Sequence, residues 1–416
     1  MSGKTYFIWR VKNLNILEKC SHLEKVREAR AAGIYPYFHA LHSKQDTEVN
    51  IDGKQVVMIG SNNYLGLTSH PEVIEAGVRA LRDYGSGCSG SRFLNGTLDL
   101  HERLEGELAE FLCKEAVMTF STGFQSNLGI ISALAGRNDI IFCDRENHAS
   151  IYDGCRLSYA KLERFRHSDM ADLEERLEKA PQSAGKLIVT DGVFSMSGEI
   201  CKLPEIVALA RKYDAAVMVD DAHALGVLGA HGRGTAEYFG LEAEVDLYMG
   251  TFSKSLASLG GYLAAKSEVV EYVRHCSRPF IFSASITPAS VECARAALRI
   301  LKREPERIAA LSHAADFMRA GLKARKVKLI ESSTPIIPIY TYEDERTFRV
   351  CKRLLEKGVY VNPVISPATP VGESLLRTSY TATHTEQQLT FAMDRIAEAL
   401  EEIPASGLTA CAAAKA

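Results

Sequence analysis

Short apolar runs alternate with amphipathic windows along most of the chain. The runs are rich in β-branched and aliphatic side chains, as buried strands are, and the windows repeat apolar residues at helical spacing. The predicted strands are AVMTF (116–120), DIIFC (139–143), KLIVTD (186–191), AAVMVD (215–220), VDLYMG (245–250) and GGYLAA (260–265). The clearest predicted helices are MADLEERLEKA, LPEIVALARKY and the window from Gln125 to Ala135. Strands that alternate with helices indicate a mainly parallel sheet covered on both faces.

The pattern changes toward both ends of the chain. From about residue 290 a long helical stretch leads into strands near PIIPIY and SLLRTSY, which predicts a smaller α+β unit. We therefore predict an N-terminal arm over residues 1–50, a large α/β domain over 51–290, a smaller C-terminal α+β domain over 291–405 and a disordered tail over 406–416.

Composition narrows the class of protein. The chain has 416 residues, of which 46% are hydrophobic and 24% charged, and its net charge is −3. These values indicate a globular protein with a large core and no basic field that would attract nucleic acid. Ten scattered cysteines without metal-binding spacing favour a reducing cytoplasm and no metal site. No run is long enough to span a membrane, although the short apolar patch at the N-terminus leaves a peripheral membrane contact open.

Polar residues follow the predicted strands, where ligands bind in open α/β sheets. The turn STGFQSN suits a phosphate at a helix N-terminus, or is a plain helix cap. His148 suits stacking on a flat ligand, or is a core or capping residue. Asp220 ends an apolar strand, where an unpaired carboxylate is costly, so a fixed cation should meet it unless it is a helix cap. His223, three residues later, is placed to reach the same ligand.

Lys254 lies in GTFSKSLASLGG, where nearly every neighbour is small. Either this is a flexible loop, or the amine is directed into a pocket that holds an anionic group. Taken with the other strand ends, the second interpretation supplies what pyridoxal 5'-phosphate requires. The phosphate needs N–H and hydroxyl donors, the ring nitrogen a carboxylate, the phenolic oxygen a histidine or hydroxyl, and the aldehyde a lysine amine.

These motifs together resemble the α-oxoamine synthases, pyridoxal-phosphate-dependent transferases of fold type I (aspartate-aminotransferase-like). The resemblance covers about residues 35–403. It rests on GSNNYLGLTSHPEVIEA, STGFQSN, NHASIYDG, TDGVFSMSGE, VDDAHALGVLGAHGRG, GTFSKSLASLGG and LLRTSYTATHT. It implies a large mainly parallel sheet domain, a smaller α+β domain, and a homodimer with shared active sites. It also implies condensation of an amino acid with an acyl-CoA.

The resemblance also implies roles for individual residues. The implied catalytic residues are Lys254, which forms the Schiff base and removes the α-proton, Asp220 at the pyridine nitrogen, His148 stacked on the ring, and His223 near the phenolic oxygen. The implied further cofactor contacts are Ser195 near the phenolic oxygen, Gly123, Phe124, Thr251 and Ser253 at the phosphate, and Ser283 and Ser285 at the neighbouring subunit's phosphate. The implied substrate contacts are Arg377 at the amino-acid carboxylate and Asn62 and Asn63 at the entrance.

Residues 85–105, which contain SRFLNGTLDLH, indicate which member of the family is closest. This segment resembles the member that condenses L-serine with a long-chain acyl-CoA, palmitoyl-CoA, to give 3-ketodihydrosphingosine, CoA and carbon dioxide in the first step of sphingolipid synthesis. The alternatives are an alanine- or glycine-dependent member, of the 8-amino-7-oxononanoate synthase or 2-amino-3-ketobutyrate ligase type, and a non-catalytic subunit of the same fold. An acyl carrier protein in place of CoA also stays open.

Overall fold

A computed structural model describes residues 16–406 of the chain. Its helices are α1 Glu24–Ala31, α2 Pro71–Tyr84, α3 Asp99–Leu112, α4 Gly123–Leu134, α5 Ala149–Leu157, α6 Met170–Glu178, α7 Leu203–Tyr213, α8 Thr235–Phe239, α9 Ser267–Cys276, α10 Arg278–Ile281, α11 Pro288–Arg303, α12 Glu306–Ala324, α13 Asp344–Glu356 and α14 Glu386–Glu402, with a 3-10 turn at Glu18–Ser21. Its strands are β1 Glu48–Ile51, β2 Lys54–Met58, β3 Ala116–Phe120, β4 Asp139–Asp144, β5 Lys161–Phe165, β6 Gly185–Asp191, β7 Ala216–Asp220, β8 Leu247–Thr251, β9 Gly261–Ala265, β10 Ile336–Tyr342, β11 Val359–Tyr360, β12 Asn362–Val364 and β13 Ser374–Ser379.

The large sheet has seven strands in the order β3-β9-β8-β7-β6-β4-β5. All of its neighbouring strands pair in parallel except β9, which runs antiparallel to both β8 and β3. The connection from β8 to β9, residues 252–260, is too short for the crossover that a parallel strand needs. The six strands predicted from the apolar runs are all present in this sheet, and the prediction of a mainly parallel sheet is confirmed.

Helices cover both faces of the large sheet and bury its central strands, whereas the edge strand β5 is partly exposed. Along β7, Val217 and Val219 join one apolar cluster while Met218 joins the cluster on the opposite face. Because both faces are apolar, polar side chains of the central strands are concentrated at the strand ends. The carboxyl edge of this sheet is therefore the place where a polar site forms.

A smaller sheet, β10-β13-β12, packs against helices α12, α13 and α14. A third sheet joins the β1-β2 hairpin to β11, so that the N-terminal hairpin pairs with a strand from the C-terminal part of the chain. The helical stretch predicted near residues 288–325 divides into α11 and α12 at Pro305. The domain boundaries stay a prediction.

Among residues 16–406, no helix combines the length and the apolar character that a membrane crossing needs. Nine cysteines lie in this range and are free thiols. The N-terminal apolar patch, residues 1–15, the final tail from residue 407 and Cys411 lie outside the described residues.

Candidate active site

The carboxyl edge of the large sheet brings the predicted residues together. Lys254 follows β8, Asp220 ends β7, and His148 follows β4. Asn127 donates to both Asp220 Oδ2 and Ser150 Oγ, and Ser150 Oγ lies 2.7 Å from His148 Nδ1, so Asp220 and His148 share one hydrogen-bonded network. The charges of Asp220 and Lys254 both act on the pKa of His148, in agreement with a common site.

Lys254 is half-buried in the loop between β8 and β9. Burial lowers the pKa of its amine to about 8, against the opposing effect of the Asp220 carboxylate. The loop is closed by hydrogen bonds from Phe252 N–H to the Gly260 carbonyl and from Ser258 N–H to the Phe252 carbonyl, both 2.9 Å long. A side chain on Gly260, whose φ is +136°, would lie 2.6 Å from Phe252. The small residues around Lys254 therefore allow a tight turn that presents an amine with weakened basicity.

Asp220 is buried, with 3% of its surface exposed. Its Oδ2 accepts a 2.7 Å hydrogen bond from Asn127 Nδ2, and its Oδ1 accepts one of 3.0 Å from the Ala222 N–H. No cationic side chain of residues 16–406 forms an ion pair with it. A buried carboxylate held in this way is an acceptor for a ligand cation such as a protonated ring nitrogen.

A second buried carboxyl group, Asp191, ends β6 opposite Asp220 in the sheet register. Burial and the Asp220 charge raise its pKa well above the ordinary value. Its Oδ2 accepts the His148 N–H at 2.8 Å. The raised pKa favours the protonated form of Asp191, and its Oδ2 anchors the backbone of His148.

His148 is the N-cap of α5. Its Nδ1 lies 2.7 Å from Ser150 Oγ and accepts the Ser150 N–H at 3.3 Å. Desolvation lowers the pKa of the imidazole, which favours a neutral ring. The residue is only partly desolvated and keeps an accessible surface, and the Phe124 ring lies 6.4 Å away between centroids in an edge-to-face arrangement. A neutral, exposed, anchored ring is suited to stacking on a flat ligand.

His167 bridges the segments that lead to His148 and Ser195. Its Nδ1 lies 2.9 Å from Asp144, the last residue of β4 before the loop that carries His148, and its Nε2 lies 3.1 Å from Glu199 in the loop that carries Ser195. Although burial opposes protonation, the carboxylates around the ring raise the pKa of His167 to about 10. A charged His167 imidazolium therefore links Asp144 to Glu199 and stabilises the positions of the two segments.

The turn before α4 forms an anion cradle. Thr122 caps the helix by accepting the Gln125 N–H, and within the described part of the chain the N–H groups of Gly123 and Phe124 have no partner. A Cβ on Gly123 would lie 2.8 Å from Thr251. The Thr251 hydroxyl lies 2.9 Å from that of Ser253. Two N–H groups, a helix dipole and adjacent hydroxyls fit the phosphate of pyridoxal phosphate.

Arg377, on β13, brings a guanidinium to the same site and is only 5% exposed. It donates from Nε to the Ser195 carbonyl at 2.6 Å, from Nη1 to Ser379 Oγ at 3.3 Å and from Nη2 to Tyr64 Oη at 3.5 Å. No carboxylate of the described residues pairs with it. One N–H on each Nη therefore remains free, which matches the two oxygens of a carboxylate.

Tyr64 is a site residue that the sequence did not single out. Its hydroxyl lies 2.7 Å from His223 Nδ1. The two side chains are 159 positions apart in sequence. The tyrosine lies in the segment GSNNYLGLTSHPEVIEA, which supports the family resemblance, but nothing in the local sequence distinguishes it from a core aromatic residue.

The remaining predicted residues are near the site, and their roles stay predictions. Ser195 contacts Arg377 through its backbone carbonyl. Asn62 Oδ1 lies 3.4 Å from the Tyr64 hydroxyl, and Asn63 Oδ1 accepts backbone N–H groups of the following turn at 3.0 and 3.3 Å.

Ser285 donates to the Gly90 carbonyl of its own chain at 3.1 Å, and Ser283 is half-buried beside it. The carbonyl between them, of Ala284, accepts the hydroxyl of Ser121, which precedes the anion cradle. The pair is thus close to the cradle of its own chain, and its predicted contact with a neighbouring subunit is untested.

A cavity of about 660 Å³ opens beside the lysine loop. Ser253, Asn62 and Asn63 line one side of it, and Leu41, Met58 and Tyr360 are among the residues that line the rest. Its volume and mixed polar and apolar wall are suited to a second, larger substrate.

The chain belongs to the aminotransferase class I and II family, whose sequence model matches residues 54–396. The predicted resemblance and the predicted pyridoxal-phosphate-dependent fold are confirmed. Serine palmitoyltransferase (SPT) of Sphingobacterium spiritivorum is 52% identical over 385 residues, covering 92% of this chain and 96% of that protein. The 8-amino-7-oxononanoate synthase of Exiguobacterium sibiricum is 42% identical over 379 residues, covering 91% and 97%. A solved structure of SPT with a PLP internal aldimine aligns with a TM-score of 0.91 at 38% identity, covering 94% of this chain and 99% of that one.

Proposed function

We propose that this protein is a pyridoxal-phosphate-dependent acyltransferase that condenses L-serine with palmitoyl-CoA. The products are 3-ketodihydrosphingosine, CoA and carbon dioxide. The observation that carries the proposal is the buried Arg377 guanidinium, which has two free N–H donors and lies close enough to Lys254 to influence the pKa of its amine. An amino-acid carboxylate that binds Arg377 would place its α-carbon near that amine.

Each residue of the site has a part in this reaction. Pyridoxal phosphate, when bound, supplies an electron sink for negative charge at the α-carbon of the amino acid. Asp220 favours a protonated ring nitrogen because it is buried and lacks a cation of its own. Lys254 Nζ, with its pKa lowered to about 8, accepts the α-proton near neutral pH. His148 covers the ring, and the cradle formed by Gly123, Phe124, Thr251 and Ser253 holds the phosphate.

The choice of serine and a long acyl chain is supported by the ranking of relatives. The serine palmitoyltransferase above is 52% identical to this chain, and the 8-amino-7-oxononanoate synthase is 42% identical. We assign the acyl donor to the cavity of about 660 Å³ beside Ser253. Alanine or glycine as the amino acid is the alternative, since a carboxylate on Arg377 does not distinguish the three.

A homodimer that shares its active sites is part of this proposal. Support comes from large apolar side chains exposed near the segments that hold Ser283 and Ser285: Leu94 and Phe282 are each 75% exposed, and Phe93 is 48% exposed. A cytoplasmic location and a peripheral membrane contact also stay predictions.

The test is a spectral titration of the purified protein with L-serine, L-alanine and glycine, each followed by palmitoyl-CoA and mass detection of the product. We expect a visible band that borohydride removes, a shift with serine, and a 3-keto long-chain aminoalcohol. Lys254→Ala should abolish turnover, whereas Lys266→Ala, an exposed lysine after β9, should not. Product formed only from alanine or glycine would contradict the choice of serine. Turnover by Lys254→Ala would contradict the mechanism.

A further inference from the structure

Three buried side chains form a line from the carboxylate-binding residue to the imidazole beside the lysine. Arg377 Nη2 lies 3.5 Å from the Tyr64 hydroxyl, which lies 2.7 Å from His223 Nδ1. Their exposed fractions are 5% for Arg377, 1% for Tyr64 and 8% for His223. Water therefore has little access to these contacts, and the protons must be distributed among the side chains themselves.

The charge state of His223 is set by its surroundings. Burial, followed by the positive charges of Lys254 and Arg377, lowers its pKa well below the ordinary value. The ring is therefore neutral, and one nitrogen carries the proton while the other accepts. Nε2 is the nitrogen that faces away from Tyr64. If Nε2 carries the proton, the ring donates a hydrogen bond on that side; if Nδ1 carries it, the ring can only accept there.

The Tyr64 hydroxyl has one proton and two possible acceptors. It can donate to His223 Nδ1 at 2.7 Å or to Asn62 Oδ1 at 3.4 Å. Arg377 only donates, so it occupies a lone pair of the hydroxyl and takes no proton from it. Donation to Nδ1 uses the shorter contact and is therefore the stronger of the two bonds. The Arg377 contact is also long, at 3.5 Å, but its donor carries a full charge, which acts on the hydroxyl.

We propose that Tyr64 is a positioning residue that fixes His223 as the Nε2–H tautomer and couples it to Arg377. The His223 nitrogen that faces away from Tyr64 is then a hydrogen-bond donor to acceptor oxygens in the site. A carboxylate bound to Arg377 perturbs Tyr64 through Nη2, and Tyr64 passes the change to His223. Only this coupling to the carboxylate rests on the proposed function; the tautomer does not.

The tautomer is measured by solid-state NMR of the full chain with its cofactor, labelled with ¹³C and ¹⁵N in histidine. Subtraction of the spectrum of His223→Asn assigns the His223 signals. We expect a protonated Nε2 and a hydrogen-bonded, unprotonated Nδ1, and in Tyr64→Phe a mixture of both tautomers. The matched control is Tyr262→Phe, which removes a buried tyrosine hydroxyl that has no partner in the described structure. A protonated Nδ1 in the unmodified protein, or unchanged His223 signals in Tyr64→Phe, would overturn the proposal.

The coupling to the carboxylate site is measured by L-serine titration of the same variants. Tyr64→Phe should raise the serine dissociation constant about fivefold because Arg377 Nη2 loses its acceptor, while Tyr262→Phe leaves it unchanged. Equal affinities in Tyr64→Phe and the unmodified protein would refute the coupling. If the unmodified protein does not bind serine, the proposed function fails while the NMR result still decides the tautomer. Thermal unfolding of both variants separates these outcomes from a loss of folding.

Discussion

Replacing Arg377 by lysine removes the paired donors of the guanidinium while keeping the positive charge. In the structure, one N–H on Nη1 and one on Nη2 are free for a carboxylate, and the other three donors are engaged. A lysine ammonium offers a point charge without this fork. Hydrogen bonds to charged groups contribute about 1.5–3 kcal/mol each, so loss of one raises the dissociation constant of L-serine about 10- to 150-fold.

The assay is the change of the visible spectrum during serine titration, with kcat measured separately at saturating serine. The cofactor should remain bound, because Arg377 does not contribute to the anion cradle. The matched control is Arg346→Lys, a buried guanidinium that donates to the carbonyls of Ile403, Thr341 and Leu400. That variant should lose stability but keep its serine affinity. An unchanged serine dissociation constant in Arg377→Lys would refute the carboxylate role.

Three further predictions address other parts of the site. Gly123→Ala should weaken cofactor binding at least tenfold, measured by fluorescence titration, because the new Cβ enters the anion cradle 2.8 Å from Thr251; unchanged affinity would place the phosphate elsewhere. Asp191→Asn should keep kcat within about threefold, because burial and the Asp220 charge raise the pKa of this carboxyl and favour its neutral form. Asp220→Asn should lower kcat by at least about 100-fold, and equal losses in the two variants would contradict this difference between the carboxyl groups. His167→Gln should lower the melting temperature most below pH 6.5, and the difference in melting temperature from the unmodified protein should shrink as pH rises toward 10. The reason is that the raised pKa of His167 causes its stabilising charge to be lost over that interval. A difference independent of pH would show that the imidazolium does not stabilise the fold.

Sequence patterns predicted the sheet and the residues at its edge because local rules govern both. An apolar strand buried on two faces leaves only its end for a polar group, which is why Asp220 could be identified without the structure. The same signal was present at Asp191, which ends KLIVTD in the same way. Its role depends on the neighbouring strand, because the adjacent Asp220 carboxylate raises the pKa of Asp191, and the sequence of one strand does not reveal which strand lies beside it.

The contacts between distant segments could not be predicted from the pattern. The hydrogen bond of Tyr64 to His223 and that of Arg377 to the Ser195 carbonyl join segments 159 and 182 positions apart. Asn127 lies inside a helix that looks ordinary in sequence, yet its amide reaches Asp220. The direction of β9 became evident only from the short connection before it, since an apolar run has the same composition in either orientation.

The pairing of β2 with β11 has a consequence for how the chain is made. Val57 pairs with Val359 and Met58 pairs with Tyr360, so roughly 300 residues separate the two strands in sequence. At elongation rates of about 5–20 residues/s, the ribosome needs about 15–60 s after completing the hairpin to synthesise its partner strand β11. An isolated hairpin is marginally stable in water, so Val57 and Ile59, which are buried in the finished protein, stay exposed during that interval. A hairpin that is synthesised well before its partner strand is therefore among the last parts to fold, and fragments that end before residue 359 should aggregate or depend on chaperones.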